Sequence, residues 1–248
     1  MVKLAINGIC GKMGQRIFRL AKQDDEVDLI IGFEQENHPK VGKEIDGVEV
    51  SSDYGRVSQS EVVIDFSAPA GTLAMLDEAK KHKKAMVIGT TNLDKDQAAR
   101  VKEASKVIPV VYSPNMSVGV NLFFKVLRLA ASTLGGYDLK IKETHHVHKK
   151  DAPSGTAKKL AEIANEFGFD KKIDEIEAKR EGEVIGDHQV VFENQFDSFK
   201  IAHHAKTRDI FAQGAVTAAK WIKGKPVGLY SMEDILFSPK SKVQSPKP

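Results

Sequence analysis

Val2-Lys3-Leu4-Ala5-Ile6-Asn7-Gly8-Ile9-Cys10-Gly11-Lys12-Met13-Gly14 is the stretch whose reading decides the fold. Residues 2–6 are a short, largely apolar run suited to a strand buried in a parallel sheet. Glycines follow at once, then an amphipathic run over 13–21, then a second apolar run, 27–33, that ends in Glu34. Strand, glycine turn, helix, strand and acid, in that order, predict a dinucleotide-binding βαβ unit. Gly8 permits the tight turn, Gly11 lets backbone approach a pyrophosphate, and Gly14 lets helix pack on strand. Glu34, twenty residues beyond Gly14, is placed to accept hydrogen bonds from the adenosine ribose hydroxyls. The spacing is GxxGxxG rather than GxGxxG, so the assignment rests on the whole unit. An ordinary βαβ turn is the competing reading. Gly8, Ile9, Cys10, Gly11, Lys12, Met13 and Glu34 are thus candidate cofactor contacts, with Cys10 a small turn residue and not a nucleophile.

The alternation continues through the first half. Strand patterns at 61–66, 85–88 and 107–112 alternate with helical patterns at 73–82 and 95–106. This predicts an α/β, doubly wound (Rossmann-like) parallel sheet, which binds ligands at the carboxyl ends of its strands. The loops at those ends are Phe66-Ser67, Gly89-Thr90-Thr91 and Ser113-Pro114-Asn115-Met116, and they are expected to line the cofactor crevice.

At residue 117 the strict alternation stops. A long amphipathic helix is expected to about residue 134, followed by a strand in which Tyr137, Leu139 and Ile141 alternate with polar residues. That strand delivers Glu143-Thr144-His145-His146-Val147-His148-Lys149-Lys150-Asp151-Ala152-Pro153-Ser154-Gly155-Thr156. Histidine changes charge near neutral pH, and Lys149 and Lys150 should push the imidazoles toward neutrality. Ser154 or Thr156 can cap a helix over 157–164, whose free N–H groups favour an anion. A solvated strand end is the plain alternative. His146 and His148 have strand spacing and could share a face toward a metal, but no further ligands complete such a site, and none is expected. Strands at 188–192 and 199–203, joined by a hairpin turn at 193–195, complete a second α+β domain on an open mixed sheet. A helix over 208–222 and a short one from Ser231 return the chain to the first domain. The expected division is 1–117 plus 208–238 for the dinucleotide, 118–207 for substrate and oligomerisation, and a disordered tail, 239–248. An exposed sheet face predicts a homo-oligomer, and hinges near Ser117 and Thr207 would allow domain closure.

Composition sets the outer limits. A net charge of +3 on 248 residues is too balanced to argue for nucleic acid, and no aromatic–basic recognition motif accompanies the basic tail. Cys10 is the single cysteine, which fits a reducing cytosol and a cytoplasmic protein. No apolar run approaches the ~18 residues of a membrane span.

Several of these motifs together resemble the dihydrodipicolinate reductase family. They are the 143–156 stretch, the glycine turn at 8–14, Val87-Ile88-Gly89-Thr90-Thr91, Asn115-Met116-Ser117-Val118-Gly119-Val120-Asn121, Arg180-Glu181-Gly182 and Ala212-Gln213-Gly214-Ala215-Val216. The resemblance implies reduction of a cyclic, unsaturated dicarboxylic imine by NADH or NADPH in lysine and diaminopimelate biosynthesis, by a homotetramer. It implies His145 as general acid/base with Lys149 as catalytic partner, and His146, Lys149, Ser154, Gly155 and Thr156 as substrate contacts. This sequence has Lys12 where the family often has Arg, and Gln35 after the ribose-binding acid where some members are basic. Glu34 repels a 2′-phosphate that Gln35 cannot neutralise, so NADH is expected to be preferred and NADPH tolerated. The rival readings are another two-domain nicotinamide reductase, such as an aspartate dehydrogenase or imine reductase, and a non-catalytic dinucleotide sensor.

Overall fold

The computed structural model describes residues 1–238, so the tail at 239–248 lies outside the described residues. Along the chain run β1 (Val2–Asn7), α1 (Lys12–Lys22), β2 (Val27–Phe33), β3 (Glu44–Ile45), β4 (Val48–Ser51), β5 (Val62–Asp65), α2 (Pro69–Lys81) and β6 (Ala85–Ile88). Next come α3 (Lys95–Ala104), β7 (Pro109–Tyr112), α4 (Val118–Thr133), β8 (Asp138–His145), α5 (Gly155–Asn165) and β9 (Glu177–Arg180). The last elements are β10 (Gly186–Glu193), β11 (Ser198–Ala205), α6 (Asp209–Ile222), β12 (Gly228–Tyr230) and α7 (Met232–Phe237). They form two compact units, one of Met1–Met116 with the chain from Phe211 onward, the other Ser117–Ile210.

The first unit is an eight-stranded sheet in the order β12-β7-β6-β5-β1-β2-β4-β3, parallel except for the β3–β4 pair. The strand order reverses between β1 and β5, so their carboxyl ends open side by side, which is where such sheets bind ligands. Alternate strand residues feed two cores. Leu4, Ile6, Ile64 and Val87 pack with apolar residues of α1 and α6, while Ala5, Val63, Met86 and Val110 pack with those of α2 and α3. Burial on both faces explains why these strands read as apolar runs.

The second unit is a mixed sheet, β11-β10-β8-β9, with β8 and β9 parallel and the other pairs antiparallel. Along β8 the side chains of Leu139, Ile141, Glu143 and His145 are buried while Asp138, Lys140 and Lys142 are exposed, the predicted one-sided pattern. The apolar half of that face forms a core with Val120, Phe123, Phe124 and Leu127 of α4 and Leu160, Ile163 and Ala164 of α5.

The structure adds elements that the apolar pattern does not signal. In β9, Glu-Ala-Lys-Arg carries no apolar periodicity and pairs with β8 through backbone register and two ion pairs, Glu177 with Lys142 and Arg180 with Glu143. Strands β3 and β4 are two and four residues long and turn at Asp46 and Gly47, both at positive φ. The hairpin between β10 and β11 is longer than 193–195. Asn194 organises it, its Oδ1 accepting from the N–H groups of Phe196 and Asp197.

Gly214 lies mid-helix in α6, where alanine normally stabilises by about 1 kcal/mol. Here a Cβ would fall 1.7 Å from the Met116 carbonyl oxygen. The Gly214→Ala variant is therefore expected to be destabilised by at least about 2 kcal/mol in urea unfolding, against the helix-propensity sign.

Candidate active site

The carboxyl ends of the first unit's strands carry most of the predicted cofactor residues. Gly8 sits at φ +81°, and a side chain there would meet the Phe66 carbonyl at 2.7 Å, so β1 and β5 end in direct backbone contact. A Cβ on Gly14 would lie 2.0 Å from the Gly8 carbonyl, which is the close helix–strand approach expected of that glycine. Helix α1 has no side-chain N-cap and starts after Gly11, leaving its first-turn N–H groups directed at the turn. This backbone cradle, with no room for side chains at Gly8 or Gly14, fits the pyrophosphate of a dinucleotide. Glu34 lies against the same turn, where its Oε1 accepts from the Cys10 N–H at 2.9 Å. Burial, then Glu34, push the Cys10 thiol above its usual pKa, which leaves it protonated and unreactive.

Phe66, Ser67, Gly89 and Thr90 form one continuous edge. The Phe66 ring occupies the space where a Gly89 side chain would begin, and the Ser67 N–H donates to Thr90 Oγ1 at 3.0 Å. Ser113 Oγ donates to the Asn115 carbonyl at 2.8 Å, and Pro114 lies between them in the same turn. Ile9 and Met116 are buried in the core, so only their backbone faces the strand ends, while Lys12 and Thr91 are exposed. Beneath this edge is a group the sequence reading does not single out. Asp65 is fully buried and accepts from Asn7 Nδ2 (2.6 Å), Ser67 Oγ (2.7 Å), Thr72 Oγ1 (2.6 Å) and Thr90 Oγ1 (2.7 Å).

In the second unit, β8 ends at His145, and 146–150 form a turn pinned to the loop after β9 by His146 N–H to Val184 O (2.6 Å) and Val147 N–H to Gly182 O (3.2 Å). Strand spacing therefore does not hold beyond His145; the His146 and His148 rings lie 6.1 Å apart, and the His148 side chain is 76% exposed beside Glu183. His146 Nε2 accepts instead from Arg208 at 3.1 Å. Desolvation first and Arg208 second hold the His146 pKa below its ordinary value. Lys149 pairs with Asp151 at 2.7 Å, and Lys150 is exposed. Ser154, not Thr156, caps α5, accepting from the Ala157 N–H at 3.2 Å, so Gly155 and Thr156 supply the helix's first N–H groups.

Cross-strand register assembles the rest. On one face of the sheet His188 of β10 lies opposite Glu143, and Arg180 of β9 opposite His145. Glu143 Oε1 accepts from the Ser154 N–H at 3.0 Å and from Arg180 at 3.1 Å. Its Oε2 is 3.3 Å from His145 Nδ1 and 3.6 Å from His188 Nε2. Burial alone would raise the Glu143 pKa, but contacts from His145 and Ser154 outweigh it and hold the carboxyl down to about 2. Burial, then the neighbouring His145, pushes His188 down to about 4, so it is neutral at pH 7. Arg180 also donates to the Lys149 and Asp151 carbonyls, holding the turn that carries Lys149. Arg180, His188 and Arg208 are neighbours of the predicted site residues that the sequence reading missed. Arg180 stands inside a quoted motif, whereas His188 is visible only once β10 is set in register with β8.

Residues 2–116 match the family described as dihydrodipicolinate reductase, N-terminus, and residues 119–236 the corresponding C-terminus. The chain belongs to the dihydrodipicolinate reductase family. Among its relatives, the 4-hydroxy-tetrahydrodipicolinate reductase of Aquifex aeolicus is 43% identical, over 95% of this chain and 98% of that one. That of Syntrophotalea carbinolica is 40% identical over 95% and 99%. The fold is that of dipicolinate-bound dihydrodipicolinate reductase from Paenisporosarcina, with a TM-score of 0.80 over 93% of this chain and 97% of the other at 22% identity. Aspartate dehydrogenase from Thermotoga maritima is more distant, at a TM-score of 0.53 and 13% identity over 92% and 99%. This family member is thus an oxidoreductase, and among its described residues no helix is long and apolar enough to cross a membrane.

The depressed pKa values set an acid-stability profile. Folding favours neutral His188, so stability is complete above pH 6.5 and falls on acidification toward pH 4. Folding favours ionised Glu143, which extends the loss from about pH 4.5 toward 2. Wild type should lose about 2 to 3 kcal/mol of unfolding free energy between pH 6.5 and 4 from His188, and His188→Gln should flatten that segment in urea titrations.

Proposed function

We propose that this chain is a 4-hydroxy-tetrahydrodipicolinate reductase, which reduces a cyclic, unsaturated dicarboxylic imine to tetrahydrodipicolinate in lysine and diaminopimelate biosynthesis. Full-length family membership carries the activity. The assembly of His145, His146, Lys149 and the α5 N-terminus at one end of a single sheet supports the site. The first unit is the dinucleotide-binding domain, completed by the C-terminal segment, and the second binds substrate. The dinucleotide is held by Gly8–Met13 backbone, Glu34 and the Phe66-Ser67, Gly89-Thr90-Thr91 and Ser113–Met116 loops. When bound, a dihydronicotinamide supplies a hydride.

This chain's own residues supply binding and a proton. The N–H groups of Gly155 and Thr156 and the hydroxyl-capped start of α5 take one substrate carboxylate. Lys149 takes the other and stabilises the negative charge that develops as the conjugated double bond accepts the hydride. His146, held by Arg208, lines the same pocket. His145 gives its proton to the carbon next to the one that accepts the hydride, and solvent restores it.

Glu34 supports a preference for NADH over NADPH. Its carboxylate is anchored by the Cys10 N–H, so it cannot leave a 2′-phosphate without losing a charge-assisted hydrogen bond of about 1.5 to 3 kcal/mol. Gln35 offers no compensating charge. Self-association is supported by β11, whose Phe199 side is open, and by Phe196 in its turn, 84% exposed. By its family a tetramer results, in a reducing cytoplasm.

The test is nicotinamide oxidation with substrate generated from pyruvate and aspartate semialdehyde by the preceding synthase. Lys149→Ala should lower kcat by about 100-fold or more, and NADH should show the lower KM. Near-normal kcat in Lys149→Ala would remove the assigned role. A lower KM for NADPH would reverse the cofactor reading, and a monomer in light scattering would remove the oligomer.

A further inference from the structure

Glu143 is buried against His145, the proton donor of the proposed reaction, yet proton transfer alone gives it no role. We propose that Glu143 is a positioning residue, holding His145 with its proton on Nδ1 so that Nε2 is the nitrogen that exchanges a proton with substrate. This inference rests on the reading of His145 as the acid.

The geometry argues it in three steps. Residues 143 and 145 are two apart on β8 and therefore share a face. Glu143 Oε1 is held by the Ser154 N–H and Arg180, so the carboxylate cannot rotate away, and its Oε2 is left facing His145 Nδ1 at 3.3 Å and His188 Nε2 at 3.6 Å. An ionised carboxylate only accepts hydrogen bonds, so the nitrogen facing it has to carry the hydrogen. The 3.3 Å separation is long for a hydrogen bond, and neither atom has another well-aligned partner, so a small ring rotation on substrate binding closes it.

The opposite side of the ring packs against β10. A Cβ on Gly186 would stand 3.0 Å from His145 Nε2 and crowd that nitrogen, so a glycine here spares it. The same carboxylate binds the amide of Ser154, the cap of α5. Glu143 therefore sets the distance between the proton donor and the anion site, the coupling that orientation-dependent catalysis requires. The charged and titratable groups facing the pair are Arg180 from β9, His188 from β10 and, behind His188, His203 from β11. Lys149 and Asp151 are paired with each other in the turn.

A cation site is the competing use of these atoms, since Glu143, His145 and His188 offer ligand atoms within 4.8 Å of one another. Arg180 weighs against it, because a fixed guanidinium charge already lies 3.1 Å from the same carboxylate.

The experiment has two readouts on full-length enzyme. The first is the ring tautomer of His145 by nitrogen-15 NMR at pH 7.5 to 8. The second is kcat and both KM values for wild type, Glu143→Gln and His145→Gln. Wild type should show Nδ1–H. In Glu143→Gln the side-chain amide would face Nδ1, moving the hydrogen to Nε2, and kcat should fall about 100-fold with the nicotinamide KM within about threefold. An Nε2–H tautomer in wild type overturns the proposal without any variant, as does Glu143→Gln with kcat within threefold of wild type. Unchanged turnover in His145→Gln would instead sink the acid assignment, leaving the tautomer to test the pair. Stoichiometric zinc in purified wild type, lost together with activity on chelation, would replace positioning with metal binding.

Discussion

A carboxylate buried in a protein must regain from its surroundings the hydrogen bonds it loses to water, and failing that costs several kcal/mol. Among the described residues each unit has one such group, Asp65 at the end of β5 and Glu143 near the end of β8, and each solves the problem differently. Asp65 accepts from four neutral donors and has no cation. Burial consequently pushes its pKa up, against the pull of Thr72, Ser67, Thr90 and Asn7. Those donors come from the end of β1, the start of the β5–α2 loop, α2 and the loop after β6. One carboxyl thus fixes the mutual positions of segments that the topology only brings near each other. Glu143 has a guanidinium and a backbone N–H on one oxygen and two imidazoles near the other, and its pKa is held down to about 2, so it stays charged. The first arrangement ties a backbone edge together through neutral donors alone. The second keeps a full charge beside His145, the proposed proton donor.

How much of this is legible in the sequence follows from the range of the interactions. The first unit reads well because a strand buried on both faces writes itself as a continuous apolar run, and glycines mark the turns between runs. β8 reads equally well, since its alternation survives to His145. Interactions set by register do not read at all. β9 has no apolar pattern to announce it, and its Arg180 reaches Glu143 across thirty-seven positions of sequence. His188 belongs to an apolar-looking strand, and nothing nearby in sequence marks it as the neighbour of Glu143. Ser154 is an intermediate case: two candidate caps are visible, and only the helix start at Gly155 decides between them.

The charge balance of the second unit shows where reasoning from sequence neighbours fails. Lys149 and Lys150 follow the histidines directly, which suggests that they suppress imidazole protonation. In space Lys149 is paired with Asp151, Lys150 is exposed, and the suppression comes from burial and from Arg208 on His146. For His188 burial and His145 dominate. The Asp151 pairing also changes how Lys149 can serve an anion. Burial raises the Asp151 pKa, but Lys149 outweighs it and lowers it. In the proposed role, a Lys149 that turns to an incoming carboxylate exchanges one anionic partner for another and never has to stand as an unpaired, desolvated cation. Because both partners remain partly exposed, that exchange costs little, on the order of the 0 to 1 kcal/mol of a surface pair. A lysine held in this way is pre-oriented without being locked, while the turn that carries it is fixed from behind by Arg180.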